Sequence, residues 1–600
     1  MNTFSTRRAR AAIVALAAGS LALTGCSSGG GKDSKDKSKS DKDAASQSTA
    51  VAFGTAAEST GPAPAVKDAK SGGTITVYQR DSFNHLDPAQ MYVSDMKVLA
   101  NLVFRGLTSF RQDDNGKQTV VGDLATDSGQ MSDGGKTWKY TLKDGVKFDD
   151  GKPITSADIR HTIERTYAKF ITDGPTYVQQ WLSGKGTAYR KALPDGPYKG
   201  DHLPKTVLDT PDDKTIIFHF NEPQSQLPYA LTMPGYSAVP DGAKDTQDKY
   251  DVAPVCTGPY KIASFKSGKS MKLVKNTNWD PKTDAMRHQY VDGFDITFNH
   301  QASDSTKRLE ADQGEAKNAI SFSNAVDPTL TKQVLDDPNA SKRLVQGYQP
   351  YVWQMNMNMD RLKDKKIRDA ITYALPNGQI VRVNGGSYGG EIAGGLLAPT
   401  VAGYEKGYDP YGKLSHPNGE PEKAKKLLQE AGKTGMKLVY AYSNTEARQK
   451  EAVVIVDALN KAGFDVQKKE VDSASWYEQM GKVDNGFDIY MTGWGQDWAD
   501  ASTVIPPSYD GTQIQDGSSN YSHINDPHVN SEIARISKLT DVTQATAEWV
   551  KLHKYIVEKV NPAAPVFYTK TLQLYGSNVG GTRYSSDISY MDPNTLFLKK

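Results

Sequence analysis

The sequence predicts an α/β fold with more than one domain, and two observations lead to this prediction. The chain has 600 residues, too many for a single hydrophobic core, so two or three domains are expected. The stretch 436–491 shows strand-like and helix-like patterns in the order β-α-β-α-β, which is typical of a sheet with helical crossovers. Strands are predicted over 436–442, 464–471 and 487–491, and helices over 447–462 and 475–482.

The composition narrows the class of protein. Hydrophobic residues make up 37% and charged residues 24% of the chain, as in soluble globular proteins. The net charge is +2 and the basic residues are scattered, so no nucleic-acid partner is predicted. The histidines and the two cysteines show no metal-ligand spacing, so no metal or cofactor is expected. His523 and His528 are interpreted as solvated polar residues in a loop.

Residues 1–26 have the pattern of a secretion signal. A basic region is followed by a short apolar run over 11–23, too short for a confident spanning helix. The run ends in small residues before Cys26, which is typical of bacterial signals whose cysteine is lipidated. Cys26 is therefore the predicted lipidation site. The alternative is an ordinary signal with an incidental cysteine.

The stretch 27–70 is of low complexity. Lys and Asp alternate with Ser and Gly, followed by a run rich in Ala, Thr and Pro. Such a composition buries too little apolar area to fold. We therefore predict a disordered tether over 27–70, between the lipid anchor and the folded body.

The folded body is predicted to begin at 71 as a series of short elements. Thr155 and Asp158 form a capping-box-like helix start, and the Gly-, Pro- and Tyr-rich stretch 170–205 is predicted as loops. Cys256, in a turn, is interpreted as a small structural thiol. The other predicted elements are strands over 74–78, 138–142, 214–220, 271–274 and 294–298, a helix over 98–104, and helices that begin at Lys365 and Pro421, the latter capped by Gly432.

The stretch that follows the strand at 487–491 is the candidate binding site. Gly493 and Gly495 let another backbone approach closely, and Trp494 and Trp498 supply broad contact faces. Asp497, if poorly solvated, requires a cation, and a ligand amine would serve. These residue types predict a grip for an extended, amine-bearing ligand. The structural alternative is a buried turn with packed tryptophans.

A hydrolase is the alternative reading of another motif. The glycines around Ser387 match the G-x-S-x-G pattern of serine hydrolases. A nucleophile elbow requires a strand before the serine and a helix after it. A helix is predicted before Ser387 and a glycine-rich run after it, so a flexible loop is favoured over catalysis.

Several separated motifs follow one another from about Gly72 to the end of the chain. They are Leu86-Asp87-Pro88, Phe104-Arg105-Gly106-Leu107, the stretch 138–164, Thr257-Gly258-Pro259-Tyr260, Lys275-Asn276 with Trp279, the stretches 367–374 and 422–432, and Gly493-Trp494-Gly495-Gln496-Asp497-Trp498. Together they resemble the extracytoplasmic solute-binding proteins of oligopeptide and dipeptide ABC importers, known as solute-binding family 5. The sequence departs from the family pattern at Cys256, where glycine is common, and at Asp500-Ala501.

The resemblance implies a bilobed α/β fold of the periplasmic-binding-protein type, the type 2 form with three parts and a hinge. Domain I would comprise 71–107, 222–345 and 560–600. An added subdomain of the first lobe would comprise 108–221, and domain II would comprise 346–559.

The resemblance also implies a ligand and its contacts. In peptide-binding relatives an aspartate after a Gly-Trp-Gly-like turn receives the peptide α-ammonium, and by motif this residue is Asp497. The backbone around Trp494–Gln496 and the segment near Tyr92–Ser94, which follows the Leu-Asp-Pro motif, would pair with the ligand main chain. The full set of implied ligand-binding residues is Tyr92, Val93, Ser94, Trp494, Gly495, Gln496, Asp497 and Trp498.

The function implied is that of a monomeric substrate-binding lipoprotein on the outer face of the bacterial cell membrane. It would capture oligopeptides with a free N-terminus between two closing lobes and deliver them to a permease and its ATPase. It would not be an enzyme. The alternatives are a non-peptide solute (nickel, haem, an opine or a sugar), or a surface receptor that presents its ligand to a sensor.

Overall fold

The computed structural model describes residues 51–92, 94–186, 188–473 and 475–600, without the side chain of Ser94. The predicted signal, the predicted lipidation site Cys26, most of the predicted tether and Val93 lie outside the described residues.

The described strands are numbered in chain order. They are β1 (Ala52–Phe53), β2 (Thr74–Tyr78), β3 (Thr108–Gln112), β4 (Gln118–Gly122), β5 (Gln130–Ser132), β6 (Thr137–Thr141), β7 (Leu208–Asp212), β8 (Thr215–His219), β9 (Tyr260–Lys266), β10 (Ser270–Lys275), β11 (Gly293–Thr297), β12 (Ala319–Ile320), β13 (Leu344–Met357), β14 (Gly390–Ile392), β15 (Lys437–Ser443), β16 (Asp465–Val471), β17 (Ile489–Gly495), β18 (Ala563–Leu574), β19 (Val579–Gly580), β20 (Tyr584–Ser585), β21 (Tyr590–Met591) and β22 (Phe597–Leu598).

The described helices are numbered in the same way. They are α1 (Ser94–Val103), α2 (Ser156–Arg165), α3 (Tyr177–Ser183), α4 (Leu227–Ala230), α5 (Ala302–Ala311), α6 (Thr331–Asp336), α7 (Lys365–Ala374), α8 (Asn377–Val383), α9 (Pro421–Glu430), α10 (Glu446–Lys461), α11 (Trp476–Met480), α12 (Ile505–Tyr509), α13 (Pro527–Ile536) and α14 (Val542–Tyr555), which continues as a π-helix over Ile556–Val560.

The described strands form four sheets of three or more strands. The largest has the order β14-β18-β13-β17-β15-β16, and a second has the order β12-β2-β11-β10-β9. Smaller sheets have the orders β5-β6-β8-β7 and β1-β4-β3. In the largest sheet β15 pairs in parallel with both β16 and β17. The predicted β-α-β-α-β unit, with helical crossovers between parallel strands, is therefore confirmed.

The strands β13 and β18 form an antiparallel pair that connects two hydrophobic cores. Leu574, at one end of the pair, lies in a core with Tyr78. Ala564, near the other end, lies in a core with Met355 and residues of α7 to α10. The register of the pair is irregular between Tyr348 and Val352. The predicted domain boundaries at 345 and 560 fall at the beginnings of these strands, and the division into domains remains a prediction.

Local sequence signals explain several elements. Thr155 and Asp158 form the predicted capping box at the start of α2, which satisfies backbone N–H groups that lack a helical partner. Helix α7 begins at Lys365 as predicted, with Asp364 as its N-cap. Gly432, just after α9, has φ +64, the left-handed conformation that glycine adopts readily at helix ends.

The tether prediction is wrong for residues 51–70. Strand β1 pairs in parallel with β4, and the Phe53 ring lies 4.9 Å from that of Tyr229 between ring centroids. Further along, Gly61 N donates to Lys282 O at 3.2 Å. The two apolar side chains of Val51 and Phe53 are enough for this short stretch to join a sheet edge, although the flanking composition is polar.

Two other predictions of secondary structure are corrected. The stretch 170–205 contains α3, where Val178 and Leu182 are buried four residues apart, on one face of the helix. Strand β17 extends through Gly495, whereas the sequence predicted a break at Gly493. It extends because residues 489–495 pair with 351–357 of β13, and two glycines hide the usual strand pattern.

Candidate functional site

Six of the predicted ligand-binding residues line one cavity of about 550 Å³, namely Tyr92, Trp494, Gly495, Gln496, Asp497 and Trp498. One wall comprises the end of β17 and Asp497, and another comprises Met91, Tyr92 and the first turns of α1. Tyr351 and the stretch 586–590 complete it. A cavity of this size and mixed polar and aromatic lining is typical of a small-ligand site.

The glycines of β17 make room for aromatic rings of the neighbouring strand. A Cβ atom on Gly495 would lie 2.6 Å from Tyr351 Cε1, and one on Gly493 would lie 3.3 Å from Trp353 Cε2. The close approach predicted from the sequence is therefore real, but it is made by side chains of β13. On the opposite side β15 pairs only with Ile489 and Tyr490 of β17. Within the described chain, the backbone of β17 beyond Tyr490 thus has no strand partner on that side.

Trp494 and Gln496 are anchored through their side chains. Trp494 Nε1 donates to Thr503 O at 2.8 Å. Gln496 Nε2 donates to Thr400 O at 3.2 Å, and Gln496 Oε1 accepts from Thr400 Oγ1 at 2.9 Å. Both side chains line the cavity with their polar ends already bonded, so they shape its wall.

The structure does not show Trp498 as the free contact face that the sequence predicted. Its side chain is 3% exposed, and its ring centroid lies 4.7 Å from that of Tyr177. Trp498 Nε1 donates to Gln226 Oε1 at 2.8 Å. The indole therefore packs into the core beneath the four-stranded sheet, which was the structural alternative for this residue, and it touches the cavity only at its edge.

Asp497 is the carboxylate at the centre of the site. It accepts hydrogen bonds from the hydroxyl groups of Tyr177 and Tyr92, and its backbone N–H donates to Thr503 Oγ1 at 3.2 Å. Burial raises the pKa of Asp497 above its ordinary value, and Lys97 opposes this shift only through its distant charge. No Lys, Arg or His in the described ranges forms an ion pair with Asp497. The arrangement leaves the carboxylate able to receive a cation.

Tyr92 is held in place by the Leu-Asp-Pro motif. Asp87 caps the short helix Pro88–Gln90, and its two carboxylate oxygens accept from Arg165 at 2.8 and 2.7 Å. Asp251 accepts the backbone N–H groups of Leu86 and Asp87, each at 2.6 Å. Because both ends of the motif are fixed, the chain enters the cavity at Tyr92, whose side chain is 44% exposed. Ser94 begins helix α1.

Sequence reasoning missed several residues of the site, of which Tyr177 contacts Asp497 and the others line the cavity. Tyr177 comes from the stretch predicted as loops and meets Asp497 across 320 positions of the chain. The periodicity of helix α3 was the available signal. The others are Arg80, Asp95, Lys97, Gln118, Tyr351, Asp587 and Tyr590.

The remaining candidate residues show no catalytic or metal-binding arrangement. Ser387 is exposed in a short turn between α8 and β14, so the strand before a nucleophile elbow is missing. Cys256 is buried, and burial raises its pKa to about 12, as expected for a structural thiol. His523 is buried and its Nδ1 lies 2.8 Å from Asp360 Oδ2, so its interpretation as solvated is wrong. The described chain contains no group of three or more potential metal ligands.

A search for membrane-spanning segments covered the same residues. No helix among them has both the length and the apolar character that a bilayer crossing requires.

Comparison with known proteins agrees with the fold. Residues 119–516 match the model for bacterial extracellular solute-binding proteins, family 5. The chain is 23% identical over 514 residues to the glutathione-binding protein GsiB of Escherichia coli (strain K12), which covers 84% of this chain and 91% of that protein.

Solved structures show the same architecture. The clavulanic acid biosynthesis oligopeptide binding protein 2 has a TM-score of 0.81 and 25% identity, and the match covers 92% of this chain and 100% of that one. The oligopeptide-binding protein AppA of Bacillus subtilis, in complex with a nonapeptide, has a TM-score of 0.65 and 20% identity over 89% and 100% of the two chains.

The bilobed α/β fold implied by the sequence motifs is thus confirmed, and the relatives are named as binding proteins rather than enzymes. The chain belongs to family 5 of the bacterial extracellular solute-binding proteins.

Proposed function

We propose that the protein is the substrate-binding subunit of an ABC importer that captures oligopeptides with a free N-terminus. One observation carries the proposal. Asp497 lines the cavity as a carboxylate with raised pKa and no ion-pair partner in the described chain. A peptide α-ammonium would supply the missing charge and form the strong, charge-assisted hydrogen bonds that fix the polarity of the ligand.

The edge of β17 supports a peptide as the ligand. Its backbone beyond Tyr490 has no strand partner on one side within the described residues, and Gly493 to Gly495 line the cavity. An extended peptide can add to such an edge through main-chain hydrogen bonds that do not depend on its side chains. The named ligands of the solved relatives, a nonapeptide in AppA and the peptide STSA in DppA from Helicobacter pylori, favour the same class.

The proposal includes the setting in which the protein works. Cys26 would carry the lipid that holds the protein at the outer face of the cell membrane. The loaded protein, a monomer, would deliver its peptide to a permease with an ATPase subunit. Opening and closing of the two lobes would control capture and release.

Native mass spectrometry of the gently purified, tag-free mature protein tests the proposal. We expect a series of co-purified peptide masses, whose range gives the ligand length. Isothermal titration calorimetry then measures the affinity for alanine peptides of two to nine residues and for glutathione. Because the GsiB relatives are named as glutathione-binding, tight binding of glutathione alone would narrow the ligand to that peptide. A single non-peptide mass, or no binding of any free peptide, would overturn the proposal.

A further inference from the structure

Some of the charged side chains around the cavity form ion pairs within the described chain, and others do not. Lys97 Nζ lies 2.6 Å from Asp587 Oδ1, and Arg80 Nε lies 2.6 Å from Asp81 Oδ2. Both cavity cations therefore already have a direct carboxylate partner. Asp497 and Asp95 also line the cavity, and neither forms an ion pair with any side chain in the part of the chain that the structure describes.

Asp95 lies in the first turn of α1, half-buried in the cavity wall. The charge of Arg80 stabilises the Asp95 carboxylate most, its own backbone N–H and that of Met96 add to this, and the negative charge of Asp81 opposes them. A position near a helix N-terminus favours an anion to a limited extent. Burial nevertheless outweighs these contributions and raises the pKa of Asp95. A simple capping role therefore leaves part of the carboxylate charge uncompensated.

The surroundings of Asp95 suit a cation. Tyr590 and Tyr351 line the same cavity, and Tyr590 is close enough to Asp95 and Arg80 for their opposite charges to act on its hydroxyl group. Aromatic faces beside a carboxylate attract ammonium and guanidinium groups through the ring quadrupole.

Gln118 provides an independent sign of a missing ligand. It is 4% exposed and lines the cavity from β4, and its Nε2 has no hydrogen-bond partner. A buried donor without an acceptor is destabilising, and natural proteins satisfy nearly all such groups. An acceptor oxygen carried by the ligand, such as a peptide carbonyl, would satisfy this donor.

We infer that the cavity selects peptides with a second positive charge, in which Asp497 receives the α-ammonium, Asp95 receives a Lys or Arg side chain and Gln118 donates to a ligand oxygen. This inference rests on the proposed function and adds the substrate class. It follows from the pairing of charges, because a peptide with only its α-ammonium would leave Asp95 without an ion-pair partner of its own.

Matched peptides test the inference. Citrulline has nearly the shape of arginine but no charge. Isothermal titration calorimetry compares an alanine tripeptide that carries Arg at one position with the same tripeptide that carries citrulline there, for each of the positions in turn. We expect the Arg peptide to bind at least about tenfold more tightly at one position, which corresponds to about 1.4 kcal/mol. In D95N this preference should disappear, while the citrulline peptide keeps its affinity. In D457N, which removes an exposed carboxylate on α10, the preference should remain.

The outcomes separate the two proposals. Equal binding of the Arg and citrulline peptides by the wild-type protein at every position would overturn the inference and leave the proposed function intact. Failure of all tripeptides and longer peptides would overturn the proposed function itself. Asn and Asp have similar helix propensities, so D95N is expected to fold. The comparison of Arg and citrulline peptides on the wild-type protein decides the inference even if D95N does not fold. A preference that persists in folded D95N would also refute the role of Asp95.

Discussion

Replacement of Asp497 by Asn tests the centre of the site most directly. The substitution keeps the size of the side chain and one acceptor oxygen, so a hydrogen bond from Tyr177 or Tyr92 can remain. It removes the negative charge that the α-ammonium of a peptide would meet. N-acetylation of the peptide removes the matching positive charge, so the protein variant and the peptide modification together form a double-mutant cycle.

The magnitude follows from the burial of Asp497. Loss of one partner of a fully buried charge pair costs about 2–5 kcal/mol. Asp497 is only half-buried, so the range for hydrogen bonds to charged groups, about 1.5–3 kcal/mol, applies better. Free peptides should therefore bind about 10- to 150-fold more weakly to D497N. N-acetylated peptides, which have no ammonium, should lose less than about threefold in affinity.

Isothermal titration of both peptides against both proteins measures the effect. D500N is the matched control, because Asp500 is a buried carboxylate in the same loop that caps a short helix through Ser502 N at 2.8 Å and does not line the cavity. Without ligand, D497N should unfold at the same temperature as the wild type or at a higher one. Burial raises the pKa of Asp497, so the negative charge that the substitution removes is less favourable in the folded protein than in the unfolded chain. Equal weakening of free and acetylated peptides would refute the role of Asp497.

Four further outcomes are expected. Peptide affinity should decrease when the pH is lowered, because Asp497 then takes up a proton. The decrease should occur at a higher pH than for an ordinary carboxylate, because the pKa of Asp497 is raised; an affinity independent of pH down to 4 would contradict this. C26S should move the protein from the membrane to the soluble fraction, and retention at the membrane would exclude lipidation at Cys26. G495A should weaken peptide binding about 5- to 150-fold, because the new Cβ would lie 2.6 Å from Tyr351 Cε1 and displace a ring that lines the cavity, and such overpacking costs about 1–3 kcal/mol; unchanged affinity would show that neither Gly495 nor the Tyr351 ring contacts the ligand. Burial lowers the pKa of Lys413 from 10.5 to about 7, so the unfolded chain binds more protons between these values and stability should rise with pH. Denaturant titrations should show this rise in the wild type relative to K413M, and parallel curves would refute it.

The sequence predicted the elements whose residues repeat with a regular period. The β-α-β-α-β unit and the cap at Thr155 and Asp158 were found because periodicity and capping are local signals. The end of β17 was not predicted, because Gly493 and Gly495 have no side chain to show a pattern. Its extent depends on pairing with β13, more than a hundred positions away.

The candidate site was predicted only in part for the same reason. Asp497 and Tyr92 were identified through motifs, whereas Tyr177, the other tyrosine that donates to Asp497, lies in a short helix within a Gly- and Pro-rich stretch. Trp498 was predicted as a contact face because an indole can serve equally well in a core or at a ligand. The packing of Trp498 against Tyr177 decides between the two roles, and no local pattern reports it.

The hydroxyl groups of Tyr177 and Tyr92 affect how a ligand ammonium binds to Asp497 and how it dissociates. In the free protein they already solvate the Asp497 carboxylate, so an arriving ammonium would replace existing bonds instead of meeting a bare charge. The net gain is then smaller than the gross strength of the new bonds, as for any exchange of hydrogen bonds. When the ammonium departs, the two phenols can close over the carboxylate again. Departure of the ammonium would therefore not leave a desolvated anion behind.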